Sequence, residues 1–171
     1  EGAPLTPLFH QLLTTQKKIK LPIMILNIGG ISNVTIVKAP IGSVELYSRD
    51  IGPGNCLIDA WVRKNSDLKY DKDGELAATG KKNEIIFEQA QELYNNRINK
   101  DKASFDTNDF DISFSRGLSI EDGAATLTDF TASIIGESLS LLLNKEKQIK
   151  KILLCGGGRK NKILLKAITQ N

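Results

Sequence analysis

A continuous apolar run that stops at paired glycines is the strongest constraint this sequence places on its fold. The run Ile23-Met24-Ile25-Leu26-Asn27-Ile28 ends at Gly29-Gly30, and a stretch rich in β-branched residues follows over 32–37. A short apolar run bounded by turn residues is typical of a buried strand. The stretch 151–155 has the same character and ends at three glycines. We therefore expect two buried strands, each followed directly by a glycine turn.

The periodicity of the remaining segments predicts helices between these strands. Apolar residues recur three and four positions apart from Leu57 to Val62, and again in a long stretch after Ser119, which is a suitable N-cap with Asp122 in the first turn. A β-meander, then helices, then strand, glycine turn and helix predict an α/β fold: a mixed sheet with flanking helices. The predicted strands cover 23–28, 32–37, 44–49 and 151–155, the predicted helices cover 4–14, 55–65, 84–98, 119–143 and 161–168, and a polar loop covers 67–80.

The composition excludes several functional classes. Of 171 residues, 40% are hydrophobic and 25% charged, so residues 1–171 suit a single folded domain. The net charge of +3 is dispersed along the chain, and no nucleic-acid-binding stripe is expected. No apolar run approaches the roughly 20 residues that span a bilayer, and no signal-peptide pattern opens the chain. We therefore expect no membrane span and a cytoplasmic location.

Two cysteines and a single histidine limit the metal and nucleophile chemistry of the chain. Cys56 and Cys155 are far apart and lie beside apolar residues, so we expect buried, reduced thiols rather than a disulfide or a zinc site. His10 is expected to be a packed or surface residue rather than a ligand. The pattern Asp71-x-Asp73-Gly74 lacks the later oxygen ligands of a calcium loop, so a solvated turn is expected there.

Three glycine-containing segments at predicted strand ends are candidates for ligand binding. The first offers backbone amides without side-chain bulk, with polar donors beside them, which suits a phosphate. Spacing alone favours the alternative, a hairpin whose glycines serve only the turn geometry. The candidate phosphate ligands in this segment are Asn27, Gly29, Gly30, Ser32 and Asn33.

The other two segments carry weaker signals. The segment after the last predicted strand matches neither a Rossmann fingerprint nor a P-loop, and a structural strand-to-helix turn explains it as well as an anion-binding loop does. The segment after the third predicted strand offers a carboxylate and a glycine bend for a metal-bound water or a sugar hydroxyl, although spacing favours Asn55 as a plain N-cap. After the last predicted strand, the candidate residues are Gly156, Gly157, Gly158 and Asn161. After the third predicted strand, they are Asp50, Gly52, Gly54 and Asn55.

Taken together and in order, the motifs of the chain resemble those of the anhydro-N-acetylmuramic acid kinase family. They are G-A-P-L (2–5), L-N-I-G-G-I-S-N (26–33), D-I-G-P-G-N (50–55) with D-A-W (59–61), D-G (73–74), E-D-G-A-A-T-L-T (121–128) and C-G-G-G-R-K-N (155–161). The resemblance implies the actin, sugar-kinase and heat-shock ATPase fold, in which two lobes close on ATP and Mg²⁺. The chain would be most of the ribonuclease-H-like second lobe, truncated at both ends, and its partner would be the missing N-terminal lobe.

The same resemblance implies a reaction and assigns residues to it. Water opens the anhydro bridge of anhydro-N-acetylmuramic acid while the 6-oxygen takes the γ-phosphoryl group of ATP, which gives N-acetylmuramic acid 6-phosphate in the recycling of cell-wall sugars. The first glycine segment would contact the ATP phosphates, and the segment 156–161 would border the adenosine. The general-base aspartate of the family would precede Glu1, so no catalytic residue and no certain metal ligand is assigned in this chain. We therefore expect the chain alone to be inactive.

One stretch departs from the pattern of the family. Residues 102–110 are acidic where the family has an arginine-bearing K-S-T-G-R-like stretch, so no sugar or phosphate contact is carried over to them. Two other functions stay open: a degenerate, nonenzymatic lobe and an ATP-binding regulatory module. An apolar lobe face left uncovered would also favour self-association of the chain into a homodimer.

Overall fold

The computed structural model describes residues 5–42, 45–97 and 104–170. The first three residues of the motif G-A-P-L and the first two of the divergent stretch 102–110 lie outside the described residues. Within the described ranges, the chain forms one mixed sheet with helices on both of its faces.

The sheet has four strands in the order β3-β2-β1-β4. Neighbours β1 and β2 are antiparallel, as are β2 and β3, whereas β1 and β4 are parallel. The central strand β1 is buried along almost its whole length, which explains its continuous apolar run. The predicted α/β class with a mixed sheet is confirmed, and the architecture is consistent with the lobe that the resemblance implies. The strands are β1 (Ile23–Ile28), β2 (Ile31–Val37), β3 (Leu46–Pro53) and β4 (Ile152–Cys155).

The helices of the described residues connect and cover these strands. The long helix α5 forms the crossover between β3 and β4, and the serine predicted as its N-cap has that role, because Ser119 Oγ accepts a hydrogen bond from Asp122 N at 3.1 Å. No helix of the described residues is both long enough and apolar enough to cross a bilayer. The α-helices are α1 (Thr6–Gln16), α2 (Cys56–Asn65), α3 (Glu75–Thr79), α4 (Glu84–Arg97), α5 (Ile120–Lys145) and α6 (Lys162–Gln170), and short 3₁₀ turns cover Lys72–Gly74, Thr107–Asp109, Ser113–Ser115 and Gly157–Lys160.

Two clusters of buried side chains hold the layers together. The first joins the sheet to α5 and α6 through residues that include Leu26, Ile36, Ile135 and Leu164. The second joins α2 and α4 to α5, and its centre is Trp61. The indole of Trp61 donates from Nε1 to the Ile120 carbonyl at 2.9 Å and packs against the backbone of the first turns of α5. The D-A-W motif therefore supports the start of α5.

Several boundaries predicted from the sequence are wrong. Strand β3 begins later than predicted and continues through Pro53, so Asp50 and Gly52 lie inside a strand rather than after it. The predicted polar loop 67–80 contains α3. Asp71, which precedes this helix, is buried, and its carboxylate accepts hydrogen bonds from Leu76 N and Ala77 N of α3. The solvated turn expected at Asp71 is therefore a buried helix cap. The two cysteines are half-buried rather than buried.

Helix α1 packs on the sheet face opposite α5 and α6, and it does so with polar side chains. His10, Gln11 and Thr14 are buried, whereas an apolar stripe at the start of this helix faces outward. Gln11 Nε2 donates to the carbonyls of Ala39 and Pro40 at 3.1 Å each, which anchors α1 to the β2–β3 connection. The exposed stripe consists of Leu5, Leu8, Phe9 and Leu12.

Candidate functional site

The three glycine-containing segments meet at one end of the sheet. Strands β1 and β4 run parallel, so Ile28 and Cys155 lie at the same edge, and β3 ends there too, because Pro53 pairs with Ile31. This arrangement follows from the sheet topology, since carboxyl ends of parallel strands share an edge and β3 runs in the same direction as β1. The candidate ligand segments are thus one site in space, although they are spread over more than 100 positions in sequence.

Backbone hydrogen bonds tie the third segment to the β1–β2 turn. Gly54 N donates to Gly30 O at 2.8 Å, Asn55 N donates to Gly29 O at 2.8 Å, and Cys56 N donates to Gly30 O at 3.1 Å. The side chain of Asn55 adds a bond from Nδ2 to Gly29 O at 3.0 Å and makes no cap bond to α2. Asn55 occupies the N-cap position of α2, as predicted, but its side-chain amide bonds to the β1–β2 turn instead of capping the helix.

Close packing requires some of the glycines at this site. A Cβ on Gly54 would overlap the Gly29 carbonyl, and one on Gly158 would lie 2.8 Å from Ile28 Cβ. Gly156 has a φ of +81°, and a Cβ there would lie 2.5 Å from Asn27 Oδ1. These three glycines let the segments approach each other and form the frame of the site.

Other glycines at the site have no such structural reason. Neither Gly29 nor Gly30 has a φ in the left-handed region, and the nearest atom to a Cβ on Gly30 would be Thr107 Cγ2 at 3.9 Å. A Cβ on Gly157 would meet nothing closer than Asn55 Nδ2 at 4.0 Å. The turn geometry therefore does not explain the glycines at 29 and 30. The backbone of Gly30 borders space that an incoming group can occupy, whereas a Cβ on Gly29 would make ordinary contacts with Ile31 O at 3.4 Å and Asn27 Nδ2 at 3.8 Å.

The predicted polar ligands differ in how accessible they are. Asn27 and Asn33 are half-buried beside the turn, whereas Ser32 is fully buried and its hydroxyl has no hydrogen-bond partner within the described residues. The side chain of Asn161 is also buried, and its Oδ1 accepts from Leu164 N at 2.9 Å at the start of α6. The geometry gives Asn161 a helix-capping role.

The acidic candidate Asp50 is engaged by the divergent stretch. Its carboxylate accepts a hydrogen bond from Phe105 N at 2.8 Å, and the residue pairs with Asn33 across β2 and β3. Gly52 packs against Ile134 of α5, where a side chain has no room. A cavity of about 330 Å³ between β3 and the second half of α5 has Asp50 and Phe105 in its wall, so it lies beside the glycine segments rather than between them. No pattern in the sequence predicted that residues 104–110 approach the turn.

A contact that the sequence did not predict reaches the site from α1. The buried ring of His10 lies between Thr35 of β2 and Cys155 of β4, and the Cys155 thiol donates to Asn27 Oδ1 at 3.6 Å. Burial raises the pKa of the Cys155 thiol, and the positive charge of Arg159 opposes this shift. Within the described part of the chain, no group of three or more His, Cys, Asp or Glu side chains could hold a metal ion.

Comparisons with a family model and with known proteins all indicate the same family. A model of the family described as anhydro-N-acetylmuramic acid kinase matches residues 1–171. Proteins named anhydro-N-acetylmuramic acid kinase from Pelagibacter ubique and Zymomonas mobilis are 49% and 38% identical to the chain, each over 98% of its length. The relative of the same name from Haemophilus influenzae is 32% identical over the whole chain. The chain spans 45%, 44% and 47% of these three relatives, respectively, which is somewhat under half their length. The chain belongs to the anhydro-N-acetylmuramic acid kinase family.

Proposed function

We propose that this chain is the second lobe of an ATP-dependent kinase that acts on anhydro-N-acetylmuramic acid in the recycling of cell-wall sugars. Water adds to the anomeric carbon as its bond to the 6-oxygen breaks, and the 6-oxygen takes the γ-phosphoryl group of ATP. The products are N-acetylmuramic acid 6-phosphate and ADP, and the proton of the attacking water goes to a base on the part of the protein outside this chain. The names of the relatives and the family match support this proposal.

The open backbone of the β1–β2 turn is the observation that carries the nucleotide part of the proposal. Gly29 and Gly30 are needed neither for a left-handed φ nor for packing, and the nearest side-chain atoms to an added Cβ are Asn27 Nδ2 at 3.8 Å and Thr107 Cγ2 at 3.9 Å, respectively. Backbone amides at a strand end suit the oxygens of a phosphate. Within the turn, Gly29 N donates to Ile31 O at 3.3 Å, so Gly30 is the more accessible part of the turn. We assign the ATP phosphates to this turn, with Asn27 and Asn33 as side-chain donors and the buried Ser32 behind them.

The adenosine is assigned to the turn that follows β4. Gly157 faces open space next to the first segment, while Gly156 and Gly158 fix the backbone on either side of it. Asn161 supports this turn through its bond to the start of α6, so its contribution is indirect. The guanidinium of Arg159, held to the Gly156 carbonyl at 2.6 Å, places a positive charge at the edge of the assigned site.

Magnesium fits this donor set as an ion that arrives with the nucleotide. Mg²⁺ keeps several waters and is bound by one or two carboxylates together with substrate phosphates, so it needs no cage of side chains. Asp50 is the carboxylate that we assign to its water shell, with the backbone of 52–55 next to it. When bound, the ion would neutralise the charge that develops on the transferred phosphoryl group.

The chain alone should not turn over. Phosphoryl transfer needs in-line alignment of sugar, nucleotide and base, and this chain covers less than half of its relatives. We propose that the remaining half supplies the base and the second wall of the cleft, and that the enzyme works in the cytoplasm, where ATP is available. The exposed apolar stripe of α1 is the surface through which the isolated chain would form a homodimer.

A coupled assay for ADP tests the kinase proposal. It is run with the anhydro sugar on the 171-residue chain and on a protein extended to the length of its relatives. We expect sugar-dependent ADP release from the extended protein alone. Nucleotide binding by the extended protein without sugar-dependent ADP release would favour an ATP-binding regulator, and the absence of nucleotide binding would favour a nonenzymatic lobe. Turnover by the short chain would refute the need for the second half.

The residue Gly157 tests the nucleotide assignment separately. Gly157→Phe in the extended protein should fold normally, because its side chain enters open space, but it should weaken ATP binding measured by calorimetry. Gly157→Ala should have a smaller effect in the same direction. An unchanged affinity in the phenylalanine variant would return this turn to a structural role.

A further inference from the structure

Four polar side chains connect helix α1 to the β1–β2 turn. Thr35 Oγ1 lies 2.9 Å from His10 Nδ1, His10 Nε2 lies 4.0 Å from Cys155 Sγ, and Cys155 Sγ lies 3.6 Å from Asn27 Oδ1. The His10 ring is only 6% exposed, and Thr35 is fully buried. We call Thr35, His10, Cys155 and Asn27 the relay.

The chemistry of the groups fixes the direction of the hydrogen bonds along the relay. The buried Thr35 hydroxyl needs an acceptor for its hydrogen, and within the described residues its partner is His10 Nδ1. A neutral imidazole that accepts at Nδ1 carries its proton on Nε2, which faces Cys155 Sγ. The sulfur, having accepted this hydrogen, directs its own S–H toward Asn27 Oδ1. Every hydrogen thus points from Thr35 toward Asn27.

The protonation states required for this direction agree with the environment. Burial lowers the pKa of His10, which keeps the ring neutral at physiological pH. Burial also raises the pKa of the Cys155 thiol, with Arg159 opposing, which keeps the S–H in place. A thiolate or an imidazolium would reverse at least one bond of the relay.

The direction of the last bond decides which end of the Asn27 amide faces the turn. The oxygen and the NH₂ group of an asparagine amide have nearly the same shape, so packing alone does not choose between them. With Oδ1 held by the thiol, Nδ2 lies on the side of the turn, 3.8 Å from the position that a Cβ on Gly29 would take. The reversed amide would present a carbonyl oxygen to an anion at this position, which is repulsive.

We propose that the relay orients the Asn27 amide with its NH₂ group toward the β1–β2 turn, so that Thr35, His10 and Cys155 are positioning residues for a phosphate bound there. The proposal rests on the phosphate assignment made above. Under this proposal, α1 contributes to nucleotide binding through buried polar contacts. Chemical modification of the half-buried Cys155 thiol would then change the affinity for the nucleotide.

The tautomer of His10 tests the relay without any nucleotide. His10 is the single histidine of the 171-residue chain, so its ¹⁵N-labelled ring gives one set of signals in long-range ¹H–¹⁵N spectra. At pH 7 we expect a neutral ring protonated at Nε2, and in the Thr35→Val variant a loss of that preference. A ring protonated at Nδ1, or doubly protonated, would overturn the proposed direction.

Nucleotide affinity tests the consequence for the turn in the protein extended to the length of its relatives. Cys155→Ala should weaken ATP binding in calorimetry by about threefold to tenfold, less than the roughly tenfold or greater loss expected for Asn27→Ala. Cys155→Ser, which keeps a donor, should recover part of the loss. The matched control is Gln11→Ala, which removes a buried polar anchor of α1 without touching the relay.

The outcomes separate the relay from the proposed function. If the wild-type protein does not bind ATP, the phosphate assignment fails, and the histidine spectra still decide whether the relay exists. If ATP binds equally well to wild type and Cys155→Ala, the positioning role is wrong. If Gln11→Ala weakens binding as much as Cys155→Ala does, the effect comes from the docking of α1 in general, and the relay is again overturned.

Discussion

Replacing Gly54 by alanine should destabilise the fold far more than the same change at Gly30. A Cβ on Gly54 would overlap the Gly29 carbonyl oxygen and lie 3.1 Å from both the Gly29 carbonyl carbon and the Gly30 oxygen. Ordinary C···O contacts are about 3.3 to 3.6 Å, so the turn has to retreat by roughly 1 Å. All three of these atoms belong to the backbone, so rotation of a side chain cannot relieve the overlap.

That retreat breaks the bonds that hold the site together. The hydrogen bonds from Gly54 N, Asn55 N and Cys56 N to the turn measure 2.8, 2.8 and 3.1 Å, and a shift of this size takes all three beyond hydrogen-bond distance. At about 1 kcal/mol net for each bond, plus about 1 to 3 kcal/mol for overpacking, the loss is about 4 to 6 kcal/mol. Removing a glycine lowers the entropy of the unfolded chain, which offsets about 1 kcal/mol and leaves a net loss of about 3 to 5 kcal/mol.

Urea unfolding followed by tryptophan fluorescence measures the difference. Trp61 is the single tryptophan and is buried beside α5, so its emission reports on loss of the core. With a slope of about 2 kcal/mol per molar urea, the Gly54→Ala midpoint should fall by about 1.5 to 2.5 M. Gly30→Ala should cost less than about 1 kcal/mol, because nothing lies closer than 3.9 Å to the added methyl group. Equal urea midpoints for Gly54→Ala and Gly30→Ala would refute the distinction between a glycine that packing requires and one that packing does not require.

Three further predictions concern single polar side chains. Asp71→Ala should cost about 2 kcal/mol in urea unfolding, because it removes a buried carboxylate that accepts from two backbone amides of α3. Burial raises the pKa of Asp129 above 3.8, so wild type should lose stability relative to Asp129→Asn as the pH rises from about 4 through the raised value; a difference that does not vary with pH would contradict this. Burial lowers the pKa of His10 below 6.5, so acidification below pH 6.5 should destabilise wild type and leave His10→Gln less affected in thermal unfolding; parallel curves would contradict the lowered pKa.

Local pattern was enough to predict the centre of this fold but not its edges. Strands β1 and β4 were found because each is an apolar run that ends at glycine, and α5 because its period and its Ser119 cap agree. The prediction that both strands are buried is correct for β1 but wrong for β4, which lies at the edge of the sheet and is partly exposed, with Leu154 43% accessible. The end of β3 was missed because Gly52 and Pro53 are turn residues by composition. There the glycine is needed for packing against Ile134, and a proline can end a strand at the sheet edge.

The faces of α1 and the assembly of the site depend on long-range contacts that no local pattern contains. Spacing correctly placed a helix at α1, but its buried side is polar because β2 offers Thr35 and the β2–β3 connection offers free carbonyls. The brace from Asn55 to Gly29 and the approach of Thr107 to Gly30 join positions that are distant in sequence. Residue type placed Asn55 at the start of α2 but did not show that its amide bonds to Gly29, 26 positions away. Asp71 was expected to face solvent because α3, whose amides it caps five and six residues ahead, was not predicted.

The glycine segments come together only when β1, β3 and β4 are all paired, since Asn27 and Cys155 touch across 128 positions of sequence. A partly unfolded chain therefore retains no fraction of the pocket, and any molecule held there binds the native state alone. Mass action then raises the melting temperature, with about 2.7 kcal/mol of added stability at a hundredfold excess over the dissociation constant. Heating this chain in the presence of different nucleotides would rank their affinities even if the catalysed reaction never takes place in the tube.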